Sequence, residues 1–134
     1  MSTILLFDAA PTGHHGEFLE NMIYGLPDAV SCDCVVLTHP ELESRLVAAK
    51  ADCGSGVRLH YLDSAQLDML AGAKSLFERG RIELKIVEDA CATFGVQKVL
   101  MMHMNVHQYA LRSTLREIGI SVRGILLNPY TPLR

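Results

Sequence analysis

Two glycines and two histidines crowd into the segment Phe7-Asp8-Ala9-Ala10-Pro11-Thr12-Gly13-His14-His15-Gly16-Glu17, and a second polar run, His103-Met104-Asn105-Val106-His107, follows some ninety residues later. A glycine-rich turn feeding a helix presents unpaired backbone N–H groups at the positive end of a helix dipole, which suits a phosphate or carboxylate. Gly13 and Gly16 fit that role. The spacing matches neither the Walker A pattern nor GxGxxG, and a tight turn alone would also call for glycine, so both readings stand.

The histidines allow a different chemistry. His14, His15, His103 and His107 could gather a transition metal, because neutral imidazole suits zinc, copper or nickel, and Met102 and Met104 are soft ligands. Against this, adjacent His14 and His15 cannot easily aim at one ion, and methionine in a strand is usually core filler. No metal is assigned. His103 reads equally as a hydrogen-bonded histidine at a strand end, while His39 and His60 read as residues of a solvated loop or strand face.

The four cysteines, Cys32, Cys34, Cys53 and Cys91, contain no CxxC pair. Residues 32 and 34 share one face of a strand, which is not the geometry of a zinc knuckle. They read as reduced, cytosolic cysteines that act as small buried hydrophobes.

Positioning these groups requires a scaffold, and the hydrophobic pattern supplies one. Ile4 to Phe7 is an uninterrupted apolar run, as expected of a strand buried on both faces. Phe18, Leu19, Met22, Ile23 and Leu26 then fall at helical spacing, with Pro27-Asp28 as the stop. Strand 34–38 and helix 40–51 follow, the latter turning Leu42, Leu46, Val47 and Ala49 inward. Val57 to Leu62 predicts a third strand near a sheet edge, since Arg58 and His60 share a face. Ser64 to Leu70 predicts a short helix, Gly72 and Gly80 loosen the next stretch, and 82–94 predicts a helix capped by Gly95. Strand 98–104, helix 108–118 closed by Gly119, and strand 122–127 complete the alternation.

Strands alternating with helices five times over predict parallel βαβ units in one domain spanning residues 1–134. The expected fold is α/β, a Rossmann-like doubly wound parallel sheet of about five strands in the order 3-2-1-4-5, sandwiched α/β/α. Strands one and four are then neighbours. The Gly13–Gly16 loop and the His103–His107 segment would converge at one carboxyl-end crevice, the usual ligand position in such sheets.

Composition bounds the partners. The chain has 134 residues, 49% hydrophobic, with 12 basic and 15 acidic side chains and a net charge of −3. Without a long run of either sign, neither nucleic acid nor an anionic membrane is the obvious partner. No basic leader precedes the short apolar run Ile4–Phe7, and no segment approaches the ~20 apolar residues of a membrane span, so a cytoplasmic location without a membrane span is expected. The fifth strand would be an apolar edge that a homodimer could cover.

The chain resembles the amino-terminal domain of GT-B-fold, group 1 type glycosyltransferases, which use nucleotide-sugar donors. The likeness lies in the first strand running into Gly13-His14-His15-Gly16-Glu17-Phe18-Leu19, in the fourth strand Leu100-Met101-Met102-His103-Met104-Asn105, and in Gly124-Ile125-Leu126-Leu127-Asn128-Pro129-Tyr130. The resemblance implies that this domain binds a small sugar or glycan acceptor. A second Rossmann-like domain, which this chain lacks, or a partner chain would hold most of the nucleotide-sugar. It implies no resident cofactor, the nucleotide-sugar being a substrate, and a domain inactive alone. It places Gly13 near the donor phosphates and His14, His15, His103 and Asn105 on the acceptor side, with His103 touching the reacting hydroxyl; Gly16 and His107, from the same two segments, are counted with the ligand-binding residues by position. The alternatives are a stand-alone module for a nucleotide or phosphorylated metabolite, and a subunit that needs a partner chain.

Overall fold

The computed structural model describes residues 3–10, 15–30, 33–53, 56–101, 116 and 119–124. The elements are β1 (Thr3–Asp8), α1 (His15–Val30), β2 (Asp33–Thr38), a 3-10 turn (Pro40–Leu42), α2 (Glu43–Cys53), β3 (Val57–Tyr61), α3 (Ser64–Ala71), α4 (Leu76–Phe94), β4 (Lys98–Met101) and β5 (Ser121–Gly124). The five strands form one parallel sheet in the order β3-β2-β1-β4-β5. This is the expected Rossmann-like arrangement, and β3 lies at an edge as its charged face predicted.

Successive strand residues point to opposite faces, so the central strands must be apolar on both. In β1, Leu6 packs with Leu19 and Ile23 of α1 and with Leu46 and Ala49 of α2. Its neighbours Leu5 and Phe7 join the opposite core, with Leu70 of α3 and Leu84, Val87 and Cys91 of α4. Val35 and Val36 of β2 divide in the same way. Helices therefore cover both faces, giving the α/β/α sandwich. Each fully buried Leu or Val stabilises the fold by roughly 1.5–3 kcal/mol.

Four boundaries or facings depart from the sequence pattern. Helix α1 continues three residues past Pro27; proline removes one N–H and crowds the preceding turn, which costs stability without ending this helix. The segment from Pro40 divides, with the 3-10 turn leading into α2. Val47 is exposed, not inward: Leu42, Leu46 and Ala49 define the buried stripe, and a residue beside Leu46 is turned about 100° away from it. Helix α4 begins at Leu76, six residues before the predicted start at Ile82, and runs through Gly80. Ser75 caps it by accepting the Glu78 N–H at 3.0 Å, and Gly80 is buried inside it. A reading of Gly80 as a breaker fails because packing outweighs the ~1 kcal/mol propensity penalty.

Other local signals are met. Asp63 and Gln66 form a reciprocal capping box on α3. Gly95 ends α4 with φ 69°, the left-handed conformation that glycine adopts most easily. The predicted continuations of the fourth and fifth strands and nearly all of helix 108–118 lie outside the described residues.

Candidate ligand-binding site

Order β3-β2-β1-β4-β5 means that the chain builds outward from β1 through β2 to β3, then crosses back over the sheet to place β4 on the other side of β1. The direction reverses between β1 and β4, and the space beyond the carboxyl ends of the strands at such a reversal is where open α/β sheets usually bind ligands. Phe7 stands opposite Met101 in register. β1 ends one residue later, at Asp8, and β4 ends at Met101 itself. The strand ends that lead into Gly13–Gly16 and His103–His107 are therefore adjacent.

The floor of this edge is polar and tightly held. Asp8 is 4% exposed, and one of its carboxylate oxygens accepts the Ala10 N–H at 3.2 Å, a short Asx-type turn that bends the chain away from the strand. The Thr38 hydroxyl donates to the Asp8 carbonyl at 2.6 Å, joining the ends of β2 and β1. Tyr61 lies opposite Thr38 in register at the end of β3. Its hydroxyl is buried and has no hydrogen-bond partner among the described residues. Burial, and secondarily the charge of Glu43, push its phenol above the usual range. Thr38 and Tyr61 were not singled out from the sequence; the only signal was a polar or phenolic residue closing an apolar strand.

Among the sequence-predicted site residues, Gly13, His14, His103, Asn105 and His107 lie outside the described residues. His15 is the first residue of α1, with its side chain outside the described set, and Gly16 is the second. Gly16 is buried where α1 meets the start of α2. A Cβ there would stand 2.8 Å from Arg45 Nη1 and 3.2 Å from both Arg45 Cδ and Leu42 Cδ2. Arg45 is itself held by Glu20 of α1 at 2.7 Å. The missing side chain of Gly16 thus serves helix packing, while its backbone belongs to the first turn of α1.

The two histidines read as solvated have local partners. His39 Nδ1 accepts the Glu41 N–H at 3.1 Å and caps the 3-10 turn, and the His60 ring lies 4.4 Å from that of Phe94. Cys34 and Cys91 are buried, in keeping with small buried hydrophobes, and burial pushes the Cys91 thiol up to about 11. Cys32 and the Cys53 side chain lie outside the described residues. Among the described residues no three His, Cys, Asp or Glu side chains gather as a metal site, and no helix is long and apolar enough to cross a membrane.

A buried carboxylate on α4 completes the polar inventory. Glu83 is nearly enclosed, with Arg79 Nε 3.0 Å from its Oε2. In chemical terms, the edge offers backbone N–H groups at the start of α1, suited to an anion, while the hydroxyls of Thr38 and Tyr61 at the ends of β2 and β3 are both buried. No protein-family model matches the chain, and no curated protein matches it.

Proposed function

We propose that the domain is the acceptor side of a glycosyltransferase that moves a sugar from a nucleotide-sugar to an acceptor hydroxyl, with a second domain or chain holding the donor. The reading is carried by the pairing of β1 with β4, Phe7 opposite Met101, because it makes neighbours of the strand ends before the two histidine-bearing segments. The sequence resemblance to group 1 enzymes supplies the reaction class.

Glycosyl transfer requires stabilisation of the departing diphosphate and accurate placement of the acceptor hydroxyl. In this reading Gly13 and the first backbone N–H groups of α1 approach the diphosphate. His14, His15, Asn105 and His107 line the acceptor side, and His103 contacts the reacting hydroxyl. The donor half of the cleft comes from elsewhere, so the isolated domain is inactive.

The test uses the natural gene product, whose intact mass should include roughly 150 residues more if a donor domain shares the chain. Incubated with nucleotide-sugars and sugar acceptors, it should release nucleoside diphosphate only when acceptor is present. His103→Ala should slow that release by about 100-fold or more at unchanged melting temperature. An equal fall in melting temperature would make His103 a core residue. Release that ignores the acceptor, or tight nucleotide binding by the chain ending at Arg134, would favour the stand-alone binding module.

A further inference from the structure

Among the described residues, β5 is an outer strand of the sheet, bonded to β4 on one side. In a parallel ladder each residue turns its N–H and its C=O toward one neighbour, and the next residue turns them the other way. The Ser121 N–H donates to the Gln97 carbonyl at 2.8 Å, so Ser121 and Arg123 address β4 and Val122 between them directs its donor and acceptor outward. On the chain's surface a groove of about 360 Å³ is lined by Arg116 and the run from Gly119 to Arg123. An open strand edge with room beside it is a template for another extended segment.

Charge selects the occupant. Two arginines and no carboxylate line the groove, and neither guanidinium makes an ion pair with a described residue. Lys98, also exposed, stands opposite Ser121 in register and adds a cation to the face of β4 and β5 that carries Arg123. Glu117, the nearest acidic residue in the sequence, lies outside the described residues. By contrast, Arg45, Arg79 and Lys85 each meet a carboxylate. A second β5 brought in by a two-fold would carry the same arginines into the contact, because such a contact is self-complementary, and cations would oppose cations. An acidic strand from a different protein meets no such conflict.

The side chains set its pattern. Ile120 and Val122 turn into the core, while Ser121 and Arg123 are exposed on the opposite face. A strand laid along β5 continues that alternation. Its residues on the Arg123 face are then acidic, since opposite charges across a strand pair are favourable and like charges are not.

We propose that the β5 edge takes up an extended acidic segment of another protein by strand addition, with backbone hydrogen bonds to Val122 and carboxylates on Arg116 and Arg123. The site is independent of the transferase reading, since none of its residues belongs to the two histidine-bearing segments.

Titration of the chain with short peptides tests it, using one of alternating Glu and Val, one of alternating Lys and Val, and an N-methylated form of the first that lacks the backbone donors. The Glu peptide should bind with a dissociation constant of about 10 µM to 1 mM, the range of weak complexes, and more weakly as salt is raised. Arg116→Gln/Arg123→Gln should weaken it by about fivefold to tenfold, at unchanged melting temperature because both side chains are exposed. The Lys peptide and the N-methylated peptide should not bind. Absence of binding by the Glu peptide overturns the proposal, as does equal binding by the Lys peptide. Undiminished binding by the N-methylated peptide would show a basic patch without strand addition, and overturns it too. Self-association of the double variant, with no Glu-peptide binding by the unaltered chain, would assign the arginines to guarding the edge instead. The His103→Ala chain should bind the Glu peptide normally, which separates this result from the fate of the transferase reading.

Discussion

The hydroxyl of Thr38 donates to the backbone carbonyl of Asp8 across 2.6 Å, linking residues thirty positions apart at the carboxyl ends of adjacent strands. Thr38 is fully buried and Asp8 nearly so. The bond fixes where β1 ends, and the Asp8 carboxylate then turns the chain toward α1 through the Ala10 N–H. The path of the chain as it leaves β1 is thereby held by β2 as well as by β1.

Thr38→Val removes that donor while keeping the branched shape. The Asp8 carbonyl loses a buried partner, which should destabilise the domain by about 1–2 kcal/mol. For a domain of this size the melting temperature should fall by about 3–6 °C. Thr38→Ser, which keeps the hydroxyl, should recover most of the loss. If the valine variant melts with wild type, the bond contributes nothing net and the edge is held by packing alone.

Gly16→Val tests whether this glycine is a packing residue. Its side chain would enter the space held by Arg45 and Leu42, and overpacking of this kind costs about 1–3 kcal/mol. Arg45→Ala should relieve part of it, so the double variant should be more stable than the sum of the single changes predicts. Strict additivity in urea denaturation would show that Arg45 is not what excludes the side chain.

The sheet could be read in advance because the apolar runs at β1, β2 and β4 have the composition that only two-sided burial explains. Adjacency of the strand ends that lead into the two histidine segments followed from topology, and the Phe7–Met101 register agrees with it. What escaped depends on contacts between distant residues. The roles of Thr38 and Tyr61 arise from cross-strand register, and Gly16 acquires its partners only when α1 lies on α2. Gly80 and Pro27 were read as local breakers, yet helix continuity there is decided by burial and neighbouring turns.

Gly95→Ala isolates a backbone effect. A Cβ at Gly95 would meet nothing within 4 Å, so crowding cannot contribute. The residue sits at φ 69°, where an L side chain meets its own backbone and the left-handed conformation costs roughly 1–2 kcal/mol. The variant should lose about that much stability with its circular dichroism unchanged. A neutral result would mean that α4 can end differently, without the Val96 N–H to Cys91 carbonyl bond at 3.0 Å.

Cys91 gives the fold a dependence on alkaline pH. Burial favours its neutral thiol and moves its pKa from 9.0 to about 11, so the native state retains a proton that the unfolded chain releases earlier. Below pH 9 both states are protonated and stability is independent of this group. Between pH 9 and 11 the unfolded state binds fewer protons, and stability must fall as pH rises. Tyr61, also raised by burial from 10.0, acts in the same direction from about pH 10 upward. Cys91→Ala should therefore flatten the decline across pH 9 to 11 without removing it above that range, as read from urea midpoints at each pH. An unchanged slope in the variant would place the alkaline transition on another group.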